Sequence, residues 1–285
     1  MKFLINTKDN YYIRPVCRCL QLAAEKFKFE LEINNSIPPY SIWIEDKPIA
    51  YLAHRDSFGF PESDRKIINK NDFKIIFKYH FSPSFDYGKY SGKIVSCGLY
   101  RWLRPEHGLS AFELLKKNRS IAVVARMSCC RSGRPESARR PCYVARRKIV
   151  EEAKNLEKLG IETCAGKKVP MLKHIEELLQ SKIGFNWEGT AYLNWRIPEH
   201  IQCGVVLVTQ PLGKEHPIRE DICLEDGVHC VFCDNPNSFG RVAKELLNDS
   251  KKLEQIRKNV VGLWFDKLCP EKMGEWYYRK IISVL

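Results

Sequence analysis

The 285-residue chain predicts an α/β fold in two parts, a smaller irregular one and then a regular one. Three observations carry that expectation. From residue 120 onward, short apolar runs alternate with amphipathic helical stretches, the pattern of a parallel sheet covered by helices. Some of those runs, such as SIAVVAR (120–126) and VVLVT (205–209), are apolar throughout, as strands buried on both faces are. The composition, 44% hydrophobic and 28% charged, is that of an ordinary globular chain of one or two domains, far from the disordered class.

The elements follow in order. KFLIN (2–6) reads as a first strand. Val16, Leu20, Ala23, Ala24 and Phe27 recur at helical spacing within 14–27. FELEI (29–33) alternates as a strand does, and SIWIEDKPIAYLA (41–53) reads as two strands around a turn at Asp46–Pro48. DFKIIF (72–77) and KIVSCGL (93–99) are further strands. Between them, DSFGFPES (56–63) and SPSFDYGKYSG (82–92) are loops, common places for binding residues. A helix at 111–118 leads into the strand SIAVVAR, and from there the alternation is regular. Helices are expected at 140–159, 172–180, 197–203, 239–247, 251–267 and 271–284, with strands at 160–164, 182–186, 205–209 and 229–233. The second part is thus a Rossmann-like unit. Domains are expected at 1–115 and 116–270, with a C-terminal helix at 271–285 that packs back on the first.

The formal net charge of +13 favours a polyanionic partner without choosing among nucleic acid, anionic membrane and phosphorylated ligand. Much of the lysine lies on amphipathic segments such as 250–259 and reads as solvated helix face. The opening MKFLINTKDN lacks the apolar core of a secretory leader, and no apolar run has the ~18 residues of a membrane span. A soluble, cytoplasmic protein is expected, its twelve cysteines mostly free thiols. Cys230 and Cys233, after His229, form one CxxC pair; a zinc site needs a second pair at suitable spacing, so no metal is expected.

In open parallel sheets ligands sit beyond the carboxyl ends of the strands. That places Arg126, Arg131 and Arg134, then Trp187, Glu188, Gly189 and Thr190, then Gln210 and Gly213, along one rim. The stretch WEGTAYLNWRIPEHIQCG (187–204) puts a glycine-bearing loop before a short helix with Pro198 in its first turn. Free N–H groups at a helix start, with glycine nearby, accept a phosphate. Arg196 offers a bidentate fork to a diphosphate, Glu199 two acceptors for ribose hydroxyls, and Gly204 lets the helix end against the next strand. The same spacing also fits a plain charge pair satisfying the helix dipole.

The segments GTAYLNWRIPEHIQCGVVLV (189–208) and EDGVHCVFCDNPNSFGRVAKELLNDSKKLEQIRKN (225–259) resemble the nucleotide-sugar-binding domain of GT-B glycosyltransferases, particularly the exostosin-like branch. The matching features are a Pro-Glu near a helix start, a glycine some residues later, an apolar strand, a DG-plus-aliphatic stretch and a helix ending in LL-x-D. A finer likeness is to the small xylosyltransferases of algal giant viruses, which would make xylose the sugar. The resemblance spans residues 120–285 and implies two Rossmann-like domains, the N-terminal one small for the family. It implies a UDP-sugar donor, a glycan acceptor, no cofactor or metal, and inversion at the anomeric carbon. It implies that Glu199 grips the donor ribose and that Arg196, with Arg126 or Arg131, holds the diphosphate, Arg146 being a weaker candidate.

The first part would then hold the acceptor and a general base. The strand-end criterion selects Asp56, followed by His54, His80 and Asp86; Asp72 ranks below them. Lys78 would face the diphosphate across a cleft. Each aspartate also fits an ordinary turn former. Two other readings compete: a basic nucleic-acid-binding protein, from the charge and the aromatics of FKYHFSPSFDYGKY (77–90), and an inactive binding module of the same fold. The transferase reading absorbs more of the chain, and no nucleic acid partner is expected.

Overall fold

The computed structural model describes residues 1–6, 13–54, 59–97, 109–129, 139–189 and 193–285. The chain divides into two compact units. One contains Met1–Arg101, Lys214–Cys223 and Asp266–Leu285; the other contains Trp102–Gly213 and Leu224–Phe265. The first unit is therefore built from three separate stretches of chain.

The first unit carries β1 (Lys2–Ile5), α1 (Ile13–Phe27), β2 (Glu30–Ile33), β3 (Ser41–Ile44), β4 (Lys47–Ala53), α2 (Glu62–Asn71), β5 (Ile75–Lys78) and β6 (Ile94–Ser96). Its six-stranded sheet has the order β2-β1-β3-β4-β5-β6. β3 runs antiparallel to both β1 and β4, while β4, β5 and β6 are parallel. The register Ala53↔Lys78 and Lys78↔Ser96 brings the carboxyl ends of these last three strands side by side. The unit's last helix, α9 (Pro270–Ile282), crosses α1 closely: a Cβ at Gly274 would lie 2.1 Å from the Cys19 carbonyl oxygen. The return segment 214–223 is tied to β6, where Ser96 Oγ donates to the Pro217 carbonyl (3.2 Å) and Glu220 N–H to the Ser96 carbonyl (3.1 Å).

One stretch differs from expectation. The sequence reads as a loop and then a strand from Asp72, but α2 fills 62–71 and Asp72 closes it in the left-handed region (φ 40). The helix, ESDRKIINKN, has adjacent isoleucines as its sole apolar residues, so no 3.6-residue stripe marks it. Asp72 instead binds Lys74 and Lys93, which hold its carboxyl at about 2.

The second unit carries α3 (Ala111–Lys116), β7 (Ile121–Arg126), α4 (Pro141–Lys158), β8 (Thr163–Gly166), α5 (Met171–Gln180), β9 (Ser181–Phe185), α6 (Arg196–Gln202), β10 (Val206–Thr209), β11 (Cys230–Phe232), α7 (Phe239–Asn248) and α8 (Ser250–Leu263). Its sheet is fully parallel, in the order β11-β10-β9-β7-β8. The chain begins at β7, goes to one side for β8 and crosses to the other for β9, so the winding reverses between β7 and β9. That reversal is where doubly wound sheets take their ligands. Val123, Ile183, Phe185, Val206 and Val208 fill the sheet's core with nothing exposed, as expected of strands covered on both faces.

Two features lock the unit. Arg119 is buried and donates to the carbonyls of Ser181 (2.5 Å) and Cys203 (2.6 Å), satisfying chain ends that helices leave open. Gly204, at φ +62, ends α6 where a Cβ would lie 2.9 Å from Val261 Cγ2. Among the described residues no helix is long and apolar enough to cross a membrane.

Candidate active site

The carboxyl edge of the second sheet, at the reversal between β7 and β9, gathers basic side chains from three elements. Arg146 comes from the second turn of α4, the helix after β7. It is buried, with Nη1 donating to the Ser128 carbonyl (3.2 Å) and Nη2 to the Trp187 carbonyl (3.0 Å). It thereby ties the loop after β7 to the loop after β9. Its guanidinium lies over the Tyr143 ring, 5.4 Å from the centroid. Gly189 is shaped to this arginine, since a Cβ there would sit 2.6 Å from Arg146 Nη2.

Arg196 opens α6. Its N–H is received by Asn194 Oδ1 (3.1 Å), and its Nε donates to the Arg126 carbonyl (3.0 Å). Its two terminal nitrogens make no hydrogen bond among the described residues. Burial, then the like charge of Arg146, lowers its pKa from 12.5 to about 9. Burial likewise lowers that of Arg146. Neither guanidinium has a carboxylate within 4.0 Å among the described residues. α4 adds to the imbalance: it has no acidic residue in its first turn, where the helix dipole favours one, and Arg140 precedes it. Two buried cations thus lie close together here, with the carboxylates of Glu199 and Glu188 as more distant electrostatic partners.

Arg126 turns elsewhere. Its Nε and Nη2 make a two-pronged bond to Glu177 on α5 (2.9 and 2.7 Å), and Nη1 donates to the Ala165 carbonyl (3.0 Å). The fork expected on the diphosphate is thus spent inside the protein, and it is the Arg126 carbonyl that serves the site by holding Arg196. Arg131 and Thr190 lie outside the described residues, as does Asp56.

Glu199 sits one helical turn after Arg196. It is buried, and its Oε2 lies 3.3 Å from Nε2 of His174 on α5. Next to it, His200 binds the Arg196 carbonyl through Nδ1 (2.5 Å) and fills the space that Gly184 of β9 leaves open; a Cβ at Gly184 would lie 2.0 Å from His200 Cδ2. The edge continues across β9 and β10 as a relay: Asn186 Nδ2 donates to Thr209 Oγ1 (2.9 Å), Thr209 Oγ1 to Gln210 Oε1 (3.1 Å), and Glu188 N–H to that same oxygen (3.1 Å). Burial raises the pKa of the Glu188 carboxyl, against the pull of Arg146.

In the first unit, His54 follows β4 and His80 follows β5, both buried; the His54 ring centroid lies 4.2 Å from that of Tyr40. The return segment adds His216, whose pKa is lowered by burial and, less, by His80. Asp86 is exposed and accepts Gly88 N–H (2.7 Å), so it shapes its own turn. Lys78 is fully buried, its ammonium 5.8 Å from the Phe60 ring centroid. Cys230 and Cys233 donate to the carbonyls of Glu225 and Asn235, and no group of three or more metal-ligating side chains occurs among the described residues.

Two residues of α5 meet the residues of this edge without having stood out in the sequence: His174 beside Glu199 and Glu177 on Arg126. His174 and Glu177 stand three residues apart on one helix face, and on sequence alone they merge with its polar side.

The fold is a two-unit, Rossmann-like α/β arrangement of the GT-B type, with two buried arginines at the edge of its second sheet. No family model and no curated protein matches the chain. Among solved structures it is similar to Anabaena HepE in complex with UDP and glucose, at 8% identity, 99% of each chain and a TM-score of 0.51. The same protein in complex with UDP aligns at 8% identity, 99% of each chain and a TM-score of 0.50. At that identity the likeness is one of fold.

Proposed function

We propose that the chain is a glycosyltransferase that takes a UDP-sugar as donor and a glycan hydroxyl as acceptor. The observation that supports this most is the pair of buried guanidiniums, Arg146 and Arg196, with no carboxylate within ion-pair distance among the described residues, at the winding reversal of a parallel sheet. Burying cations with no counter-ion in direct contact is costly, and a diphosphate at this edge would reduce the cost. HepE, whose fold the chain shares, binds UDP.

In this reading the acceptor oxygen attacks the anomeric carbon as the bond from that carbon to the diphosphate oxygen breaks. A base takes the acceptor proton, and UDP leaves with the electron pair. Arg196 and Arg146 neutralise the charge that grows on the leaving diphosphate, as preorganised electrostatic stabilisation. That supplies what a bound cation supplies in other transferases, so transfer is proposed to be metal-independent. A single displacement inverts the anomeric centre. Asp56 is the proposed base, with His54 and His80 as the alternatives. Xylose as the sugar rests on the resemblance to viral xylosyltransferases.

Calorimetric titration with UDP, GDP and a random oligonucleotide, followed by a donor-hydrolysis screen over UDP-sugars, tests the reading. Saturable UDP binding that Glu199→Ala weakens, with turnover that Asp56→Ala abolishes, supports it. Binding of the oligonucleotide alone, falling steeply with salt as counterion release requires, would falsify it.

A further inference from the structure

The geometry points to His174 as the positioning residue for the nucleoside end of the donor: it orients the Glu199 carboxylate that accepts the ribose hydroxyls. This rests on the proposed donor site and adds to it a residue from an element that the donor itself need not touch.

Three observations carry it. First, Arg196 and Glu199 stand three residues apart on α6, so they share a face about one helical turn, ~5 Å, apart. That separation suits a diphosphate at one and the ribose joined to it at the other. Second, Glu199 is buried, and a buried carboxylate with loose rotamers recognises nothing; it needs a polar neighbour that fixes it. His174 is such a neighbour: its Nε2 lies 3.3 Å from Oε2, and it comes from a different helix, so the contact orients the carboxylate from outside α6. Third, α5 is itself anchored at the site. Glu177, one turn after His174, holds Arg126, whose carbonyl holds Arg196. One helix face thus meets residues at both ends: Glu177 holds the side chain of Arg126, whose backbone carbonyl receives Arg196, and His174 lies against the ribose carboxylate.

The test compares UDP with 2′-deoxy-UDP by calorimetry on the full chain carrying His174→Leu, His174→Gln or Glu199→Gln. A hydroxyl bonded to a carboxylate contributes about tenfold or more in affinity, so the wild type should prefer UDP by at least that factor. His174→Leu should bring the two ligands to within about threefold by weakening UDP alone. His174→Gln, whose amide nitrogen reaches as far as Nε2, should restore the preference. Glu199→Gln in the His174→Leu background should add little to the loss, because the two residues act as one unit. A folded His174→Leu protein, checked by thermal melting, that keeps the full preference overturns the inference, as does an equal loss of both ligands or a wild type that does not distinguish them. Absence of any UDP binding to the wild type instead removes the donor site itself. Should His174→Leu fail to fold, His174→Gln and Glu199→Gln decide the matter: loss of preference in the second, with retention in the first, is the required result.

Discussion

Arg196 donates its Nε–H to the backbone carbonyl of Arg126 at 3.0 Å, while Arg126 commits its own guanidinium to Glu177. Two arginines that look equivalent on the sheet rim have opposite roles. One spends its guanidinium on a carboxylate within the protein, and the other is held by its Nε with its terminal nitrogens uncommitted among the described residues.

Arg196→Met is expected to weaken UDP binding by roughly 10- to 100-fold, the range of lost charge-assisted hydrogen bonds, with an unchanged melting temperature or a slight rise. Relief of repulsion with Arg146 accounts for the second effect. Arg196→Lys should recover little, because an ammonium cannot present the fork. Calorimetry and thermal melting together check both parts.

His200 stays neutral in the fold, its pKa lowered from 6.5 to about 3 by burial first and by the neighbouring His174 second. The unfolded chain protonates near 6.5 and the folded one does not, so the stability is whole above that pH and is lost progressively as pH falls toward 3. Between pH 7 and 5 the loss should be about 2 kcal/mol, read from urea midpoints, and His200→Leu should flatten the slope.

Gly184→Ala should destabilise by about 2–3 kcal/mol, since its Cβ would meet His200 at 2.0 Å and His200 is tied to the Arg196 carbonyl. The strain falls on α6, so UDP affinity should drop with stability. Urea denaturation and calorimetry on the same preparation read the two effects.

Arg119→Met should cost about 1–3 kcal/mol by leaving the Ser181 and Cys203 carbonyls without their donor, while the site keeps its UDP affinity. Because the residue lies at the other edge of the sheet, before β7, a loss of binding larger than the loss of stability would show that the two edges are coupled.

What could be read from the residues alone was whatever repeats along the chain. The apolar runs of β7, β9 and β10 and the helical periods of α4 and α5 are local, because burial on two faces or one stripe imprints a period on neighbouring residues. Candidate cations and carboxylates followed from their places at strand ends. α2 escaped because its apolar residues are too few to form a stripe. The tertiary structure decided which arginine turns inward, that Glu199 meets His174, that Gly189 makes room for Arg146, and that three stretches of chain build the first unit. These are contacts between residues tens of positions apart. Which partner a long side chain finds depends on how helices seat on the sheet, and no short-range pattern in the sequence records that.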